Sequence, residues 1–92
     1  LVTAVVLVTT ESERVAEAAQ AMLKVEGVTE VYSVTGPYDL VVMVRIPDFE
    51  RLAEIVPERL AQVPGVARTE TMVAFRTYSD YDLDRIWAQG LE

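Results

Sequence analysis

The hydrophobic positions of this chain alternate between a period of two and a period of three to four, in an order that reads strand, helix, strand twice over. From Leu1 to Thr9 the chain is apolar on both alternating faces, with Val2, Ala4, Val6 and Val8 on one and Thr3, Val5 and Leu7 on the other. That pattern suits a central strand. Thr10 with Glu13 three residues later has the form of a capping box, which predicts a helix running to about Val25. Val15, Ala18, Ala19 and Met22 form its buried stripe, and Gly27 stops it in the left-handed conformation. A second strand is expected over Val28 to Thr35 and a third over Leu40 to Ile46, joined by a corner at Gly36-Pro37. Pro47-Asp48 ends the third strand and caps a second helix, whose stripe is Phe49, Leu52, Ala53, Val56, Leu60 and Val63. Pro57 lies inside it, lacks an N–H and crowds the carbonyl of Ala53, so a kink or local break is predicted near Val56. After Pro64-Gly65, a fourth strand runs from Val66 to about Thr77.

The two halves repeat. Gly27-Val28 and Gly65-Val66 lie 65 − 27 = 38 positions apart, and the same shift carries Val2-Thr3-Ala4-Val5-Val6 onto Leu40-Val41-Val42-Met43-Val44. Two strand-helix-strand units in succession predict an α+β, ferredoxin-like βαββαβ fold, its four-stranded antiparallel sheet having the first and third strands central and both helices on one face. Residues 1–77 then make one domain and residues 78–92 a C-terminal extension. In the extension, Ser79 and Asp82 can cap a short helix over about Asp80 to Gln89, closed by Gly90. Tyr81, Leu83, Ile86 and Trp87 make it too apolar to float free, and it docks either on its own domain or on a neighbour.

With both helices on one side, Thr3, Val5, Leu7, Val41 and Met43 are left on a sheet face that no helix remains to cover. An apolar face of several hundred Å² marks an interface, as a rough guide. Sheet-to-sheet self-pairing through Val5, Leu7, Val41 and Met43 is the economical solution.

Composition narrows the chemistry. The 92 residues suffice for one core, and there is no cysteine or histidine, so disulfides, thiolate nucleophiles, imidazole bases and the usual zinc sites are excluded together. Eight Lys and Arg against fifteen Asp and Glu give a net charge of −7, which opposes direct contact with nucleic acid. No apolar stretch reaches membrane-spanning length, and Leu1-Val2-Thr3-Ala4 carries no basic leader, so a soluble cytoplasmic protein is expected.

The most chemically varied stretch is Val34-Thr35-Gly36-Pro37-Tyr38-Asp39-Leu40. Gly36 and Pro37 together pre-set a tight turn. A rigid loop of this kind, with free N–H groups, a Tyr38 ring and the Asp39 carboxylate, could hold a small zwitterion, its carboxylate on the N–H groups and its ammonium on Asp39. The same residues also fit a plain hairpin turn in which Tyr38 packs and Asp39 hydrogen-bonds locally.

Together with Leu60-Ala61-Gln62-Val63-Pro64-Gly65-Val66-Ala67-Arg68-Thr69-Glu70-Thr71, this stretch resembles the C-terminal effector-binding domain of the Lrp/AsnC family, and the resemblance covers Leu1 to about Phe75. It implies a stand-alone effector module without the helix-turn-helix that family members usually carry. It implies further that the domain dimerises through its sheet, that dimers build rings such as octamers, and that amino acids bind between neighbouring dimers. The ligand-binding residues it transfers are Gly36, Tyr38 and Asp39 on the loop and Thr69 and Thr71 on the last strand. Period two puts both threonines on one side of that strand. Pro37 departs from the family, which commonly has Asp or another polar residue there, and so removes one N–H from the loop. Arg68 and Glu70, on the opposite strand face, read as surface or inter-subunit charges.

Three functions compete at this stage. The first is a non-catalytic amino-acid sensor that homo-oligomerises, needs no cofactor or metal, and modulates full-length Lrp/AsnC regulators. The second is an architectural oligomer or adaptor without a ligand. The third is a small dimeric enzyme, for which Asp39, Glu70 and the tyrosines would be the whole acid-base inventory.

Overall fold

A computed structural model describes residues 1–11 and 13–78. The elements follow the predicted order: β1 (Val2–Thr10), α1 (Val15–Met22), β2 (Val28–Ser33), β3 (Leu40–Ile46), α2 (Phe49–Ile55), a π-helical turn (Val56–Leu60) and β4 (Val66–Val73). The sheet is wholly antiparallel in the order β2-β3-β1-β4, so the two most aliphatic strands are central as expected. The C-terminal helix predicted over 80–89 lies outside the described residues.

Alternation decides the faces. Ala4, Val6 and Val8 of β1 and Leu40, Val42, Val44 and Ile46 of β3 are buried under the helices, where they meet Ala18 and Met22 of α1 and Leu52, Ile55 and Leu60 of the second helical segment. The intervening residues Val5, Leu7, Val41 and Met43 are half-buried on the opposite side. One set of residues makes the core and its complement makes a second apolar surface.

The glycine turns at the end of each half hold the two copies together. Gly27 (φ +85°) and Gly65 (φ +95°) both occupy the left-handed region. The carbonyl of Gly27 accepts from Arg45 N (2.8 Å), and that of Gly65 accepts from Glu11 N (2.8 Å). Each turn therefore docks on a segment of the other half.

Four local expectations need correction. Thr10 does not cap α1: it is the last residue of β1, and the helix starts at Val15 after Arg14, with no side-chain cap. α1 also stops at Met22, short of Val25, and β2 and β4 end at Ser33 and Val73, short of Thr35 and Thr77. Phe49 and Ala53 are exposed, Phe49 at 60%, so the buried stripe of α2 is only Leu52 and Ile55. Asp48, by contrast, caps α2 as predicted, accepting from Arg51 N at 2.8 Å.

The break near Val56 takes a specific form. Pro57 stands where the carbonyl of Ala53 would otherwise meet its donor, and the helix widens there instead of ending. Ala61 N donates to Val56 O at 2.9 Å, an i+5 bond. The widened turn still delivers Leu60, fully buried, to the core.

Candidate functional site

The corner after β2 is closed by Val34 N donating to Asp39 O at 3.0 Å. Gly36 takes φ +108°, and a Cβ there would touch nothing within 4 Å, so glycine is needed for the backbone conformation and not for space. The chain then joins β1, with Asp39 N donating to Val8 O at 2.9 Å.

Asp39 is committed to the fold. Its Oδ2 accepts from Thr10 N at 2.8 Å and from Thr10 Oγ1 at 3.2 Å, across 29 residues of sequence. Thr10 is 8% exposed, so the carboxylate satisfies an N–H that would otherwise lack a partner at the end of the strand. Asp39 thus anchors the corner to the end of β1 through a tertiary contact, where the sequence suggested either a ligand contact or a local turn.

Tyr38 points elsewhere. Its hydroxyl donates to Glu70 Oε2 on β4, on the far side of β1. That bond raises the Tyr38 phenol above its ordinary pKa, with burial adding to the effect. Glu70 pairs in register with Leu7, which puts it on the helix-free face.

Thr69 and Thr71 share one side of β4, as the period required, and pair with Val8 and Val6, which places them on the helix side. Thr71 lines an open groove of about 270 Å³ with Val73 of β4 and Phe49, Leu52, Ala53 and Val56 of the second helical segment. Within one chain the five candidates therefore divide. Tyr38 joins Glu70 on the helix-free face, Asp39 joins Thr10, and the two threonines face the helices.

Sequence reasoning missed the part of Thr10, which looked like a helix cap. Glu70 is an exposed charge on the strand face opposite the threonines, as expected, and only the strand register reveals that it meets Tyr38.

The helix-free face has an ordered pattern. In one row Glu30, Met43, Val5 and Met72 lie side by side across the four strands; in the next lie Tyr32, Val41, Leu7 and Glu70. Met72 is 51% and Tyr32 47% exposed. Charges stand at the margin, with Arg45 3.8 Å from Glu30 on one side and Arg68 opposite Thr9 on the other. An apolar centre within a polar rim is the anatomy of a protein interface.

Among the described residues no group of three or more His, Cys, Asp or Glu side chains is placed to hold a metal ion, and no helix is long and apolar enough to cross a membrane.

Comparison with known proteins agrees with this fold. The family model described as the Lrp/AsnC ligand binding domain matches residues 3–83. The HTH-type transcriptional regulator FL11 of Pyrococcus abyssi is 34% identical over 77 residues, 84% of this chain and 50% of its own. The chain spans about half the length of the curated relatives it matches. The crystal structure of TTHA0845 from Thermus thermophilus is 46% identical, with a TM-score of 0.80, and the match covers 86% of this chain and 99% of that one. A feast or famine regulatory protein (Rv3291c) from M. tuberculosis, complexed with L-methionine, is 28% identical with a TM-score of 0.70, covering 89% of this chain and 56% of that one.

Proposed function

The chain belongs to the Lrp/AsnC ligand-binding-domain family, and from that membership we propose that it is a non-catalytic, amino-acid-sensing module that works as a homo-oligomer. The observation that carries the proposal is the helix-free sheet face, where Val5, Leu7, Val41 and Met43 form an apolar centre inside a charged rim. Two copies paired through that face make the dimer. Dimers then associate into a larger ring such as an octamer, with Gly36, Tyr38, Thr69 and Thr71 at the boundaries between them. Residues 1–77 form the sensing unit and 78–92 its extension.

The amino-acid ligand is supported by the L-methionine complex of the mycobacterial relative. The curated relatives are transcriptional regulators, which supports a role in the cytoplasm through association with full-length Lrp/AsnC regulators, without direct contact with nucleic acid or membrane. A ligand at a subunit boundary shifts assembly only as far as it binds one assembly better than another.

In a single chain, Oδ2 of Asp39 is engaged with Thr10, and Tyr38 lies on the face of the sheet opposite Thr69 and Thr71, so the candidates do not converge on one cleft. That observation favours a second reading, an architectural oligomer or adaptor that binds no small molecule. Isothermal titration calorimetry of the assembled protein against a panel of amino acids, L-methionine included, separates the two. Saturable heat that disappears in Thr69→Ala/Thr71→Ala supports the sensor; silence across the panel at millimolar ligand, with assembly intact, supports the adaptor.

A further inference from the structure

The helix-free face carries two glutamates in its central rows, and each accepts from a tyrosine hydroxyl. Glu30 ends one row at β2, where Tyr32, two positions on, donates to its Oε2 and Arg45 lies 3.8 Å from its Oε1. Glu70 ends the next row at β4, and Tyr38 reaches from the corner across β1 to donate to its Oε2. Arg68, opposite Thr9, stands two positions before Glu70 on the same side of β4. One tyrosine, one glutamate and one arginine thus mark each edge of the sheet. Both glutamates are exposed in the single chain. The bonds hold both phenols above their ordinary pKa, so both remain donors at neutral pH.

The two sets follow the internal repeat. A half-turn about the centre of the face exchanges β2 with β4 and β3 with β1, and carries Glu30 onto Glu70, Met43 onto Leu7, Val5 onto Val41 and Tyr32 onto Met72. That arrangement decides what a second copy lays on each carboxylate. Sheets packed face to face keep their strands nearly aligned, which leaves two symmetric ways to stack this face on itself, with the axis along the strands or across them. Centred on the two rows, both put Met72 or Tyr32 of the second copy over each glutamate, and neither sets glutamate on glutamate. Met72 and Tyr32 are also the large side chains of these rows that the single chain leaves most exposed.

We propose, on the premise that the chain self-pairs through this face, that Tyr32 and Tyr38 are specificity-determining residues of the pairing, each holding the carboxylate that a second copy covers. Pairing takes two carboxylates per copy out of water, and a charge so covered is costly unless it is hydrogen-bonded. The hydroxyls supply that bond from within the same chain and are in place beforehand, so neither side chain has to be ordered at association. A second copy offers apolar cover at the two points; a face with an acid in the place of Met72 or Tyr32 is refused. The Tyr38 hydroxyl then works inside a dimer, whereas the corner that carries it stands at the boundary between dimers.

Sedimentation equilibrium of the full chain over a concentration series at neutral pH tests this. Tyr38→Phe keeps the ring and removes only the donor. Water replaces the hydroxyl in the single chain but not beneath a second copy, so the loss falls on association. With two such sites per dimer, the dissociation constant is expected to rise roughly ten- to a hundredfold. Tyr32→Phe, at the opposite edge, gives a second and independent reading with the same expected direction. Removing both partners leaves nothing unsatisfied, so Tyr38→Phe combined with Glu70→Leu is expected to return to within about threefold of the wild type or to pair more tightly. Tyrosine variants that pair as the wild type does, or a combined variant that pairs no better than Tyr38→Phe alone, overturn the proposal and leave self-pairing standing. A wild type that stays monomeric removes self-pairing itself, and the proposal with it.

Discussion

Replacing Asp39 with alanine removes both hydrogen bonds to Thr10 and leaves a largely buried N–H without a partner at the end of β1. Losing an acceptor from a buried donor costs about 1–3 kcal/mol, and the charge on this acceptor argues for the middle of that range or above. A loss of roughly 2 kcal/mol corresponds to a fall in Tm of about 8–16 °C for a domain of this size. Asp39→Asn keeps a carbonyl oxygen where Oδ2 stands and should lose clearly less. Thr10→Val removes only the longer of the two bonds, for which about 0.5–1.5 kcal/mol is the appropriate scale. The assay is urea unfolding followed by circular dichroism at one fixed protomer concentration, since assembly contributes to the apparent stability. If Asp39→Ala unfolds at the wild-type midpoint and loses only amino-acid binding, the carboxylate is a ligand group and its assignment to the fold is wrong.

Gly27→Ala should destabilise by about 2–5 kcal/mol, the sum of roughly 1–2 for a left-handed backbone and roughly 1–3 for overpacking, because the new Cβ would overlap Ile46 Cγ2. Denaturant melts of this variant against Gly36→Ala isolate the packing contribution, since the corner glycine has open space around it and should lose only the backbone share. The Tyr38 bond to Glu70 predicts an alkaline effect. With the folded phenol above its ordinary value of 10.0, its contribution is full below that pH and is lost as pH rises through the raised folded value. An ultraviolet titration should show one tyrosine ionising earlier in Glu70→Gln than in the wild type, and coincident curves would refute the contact.

Strand identity and facing were legible because β1 and β3 alternate so regularly that one choice of face fixes the other. The same alternation marks the uncovered face through Val5, Leu7, Val41 and Met43. Pro57 announced the irregular helix, though not that it would widen and carry on to Leu60. The errors arose where a short-range pattern competed with a partner distant in sequence. Thr10 and Glu13 have the spacing of a cap, yet the Thr10 hydroxyl is claimed by Asp39, 29 residues away. Phe49 sits at a helical stripe position but flanks an open groove, because periodicity gives a direction from the helix axis and not what lies in that direction. The candidate site was legible only as a set of residues. Its division between the two faces follows from the pairing of Leu7 with Glu70 and of Val8 with Thr69, a register that no local motif encodes.

The most direct test is the mass of the purified chain by size-exclusion chromatography with light scattering at micromolar concentration. If the helix-free face closes against a second copy, the wild type elutes as a dimer or a multiple of it, and Leu7→Asp, which puts a charge at the centre of that face, shifts it to a folded monomer. A wild-type protein that is itself a folded monomer, with Leu7→Asp indistinguishable from it, would contradict the account.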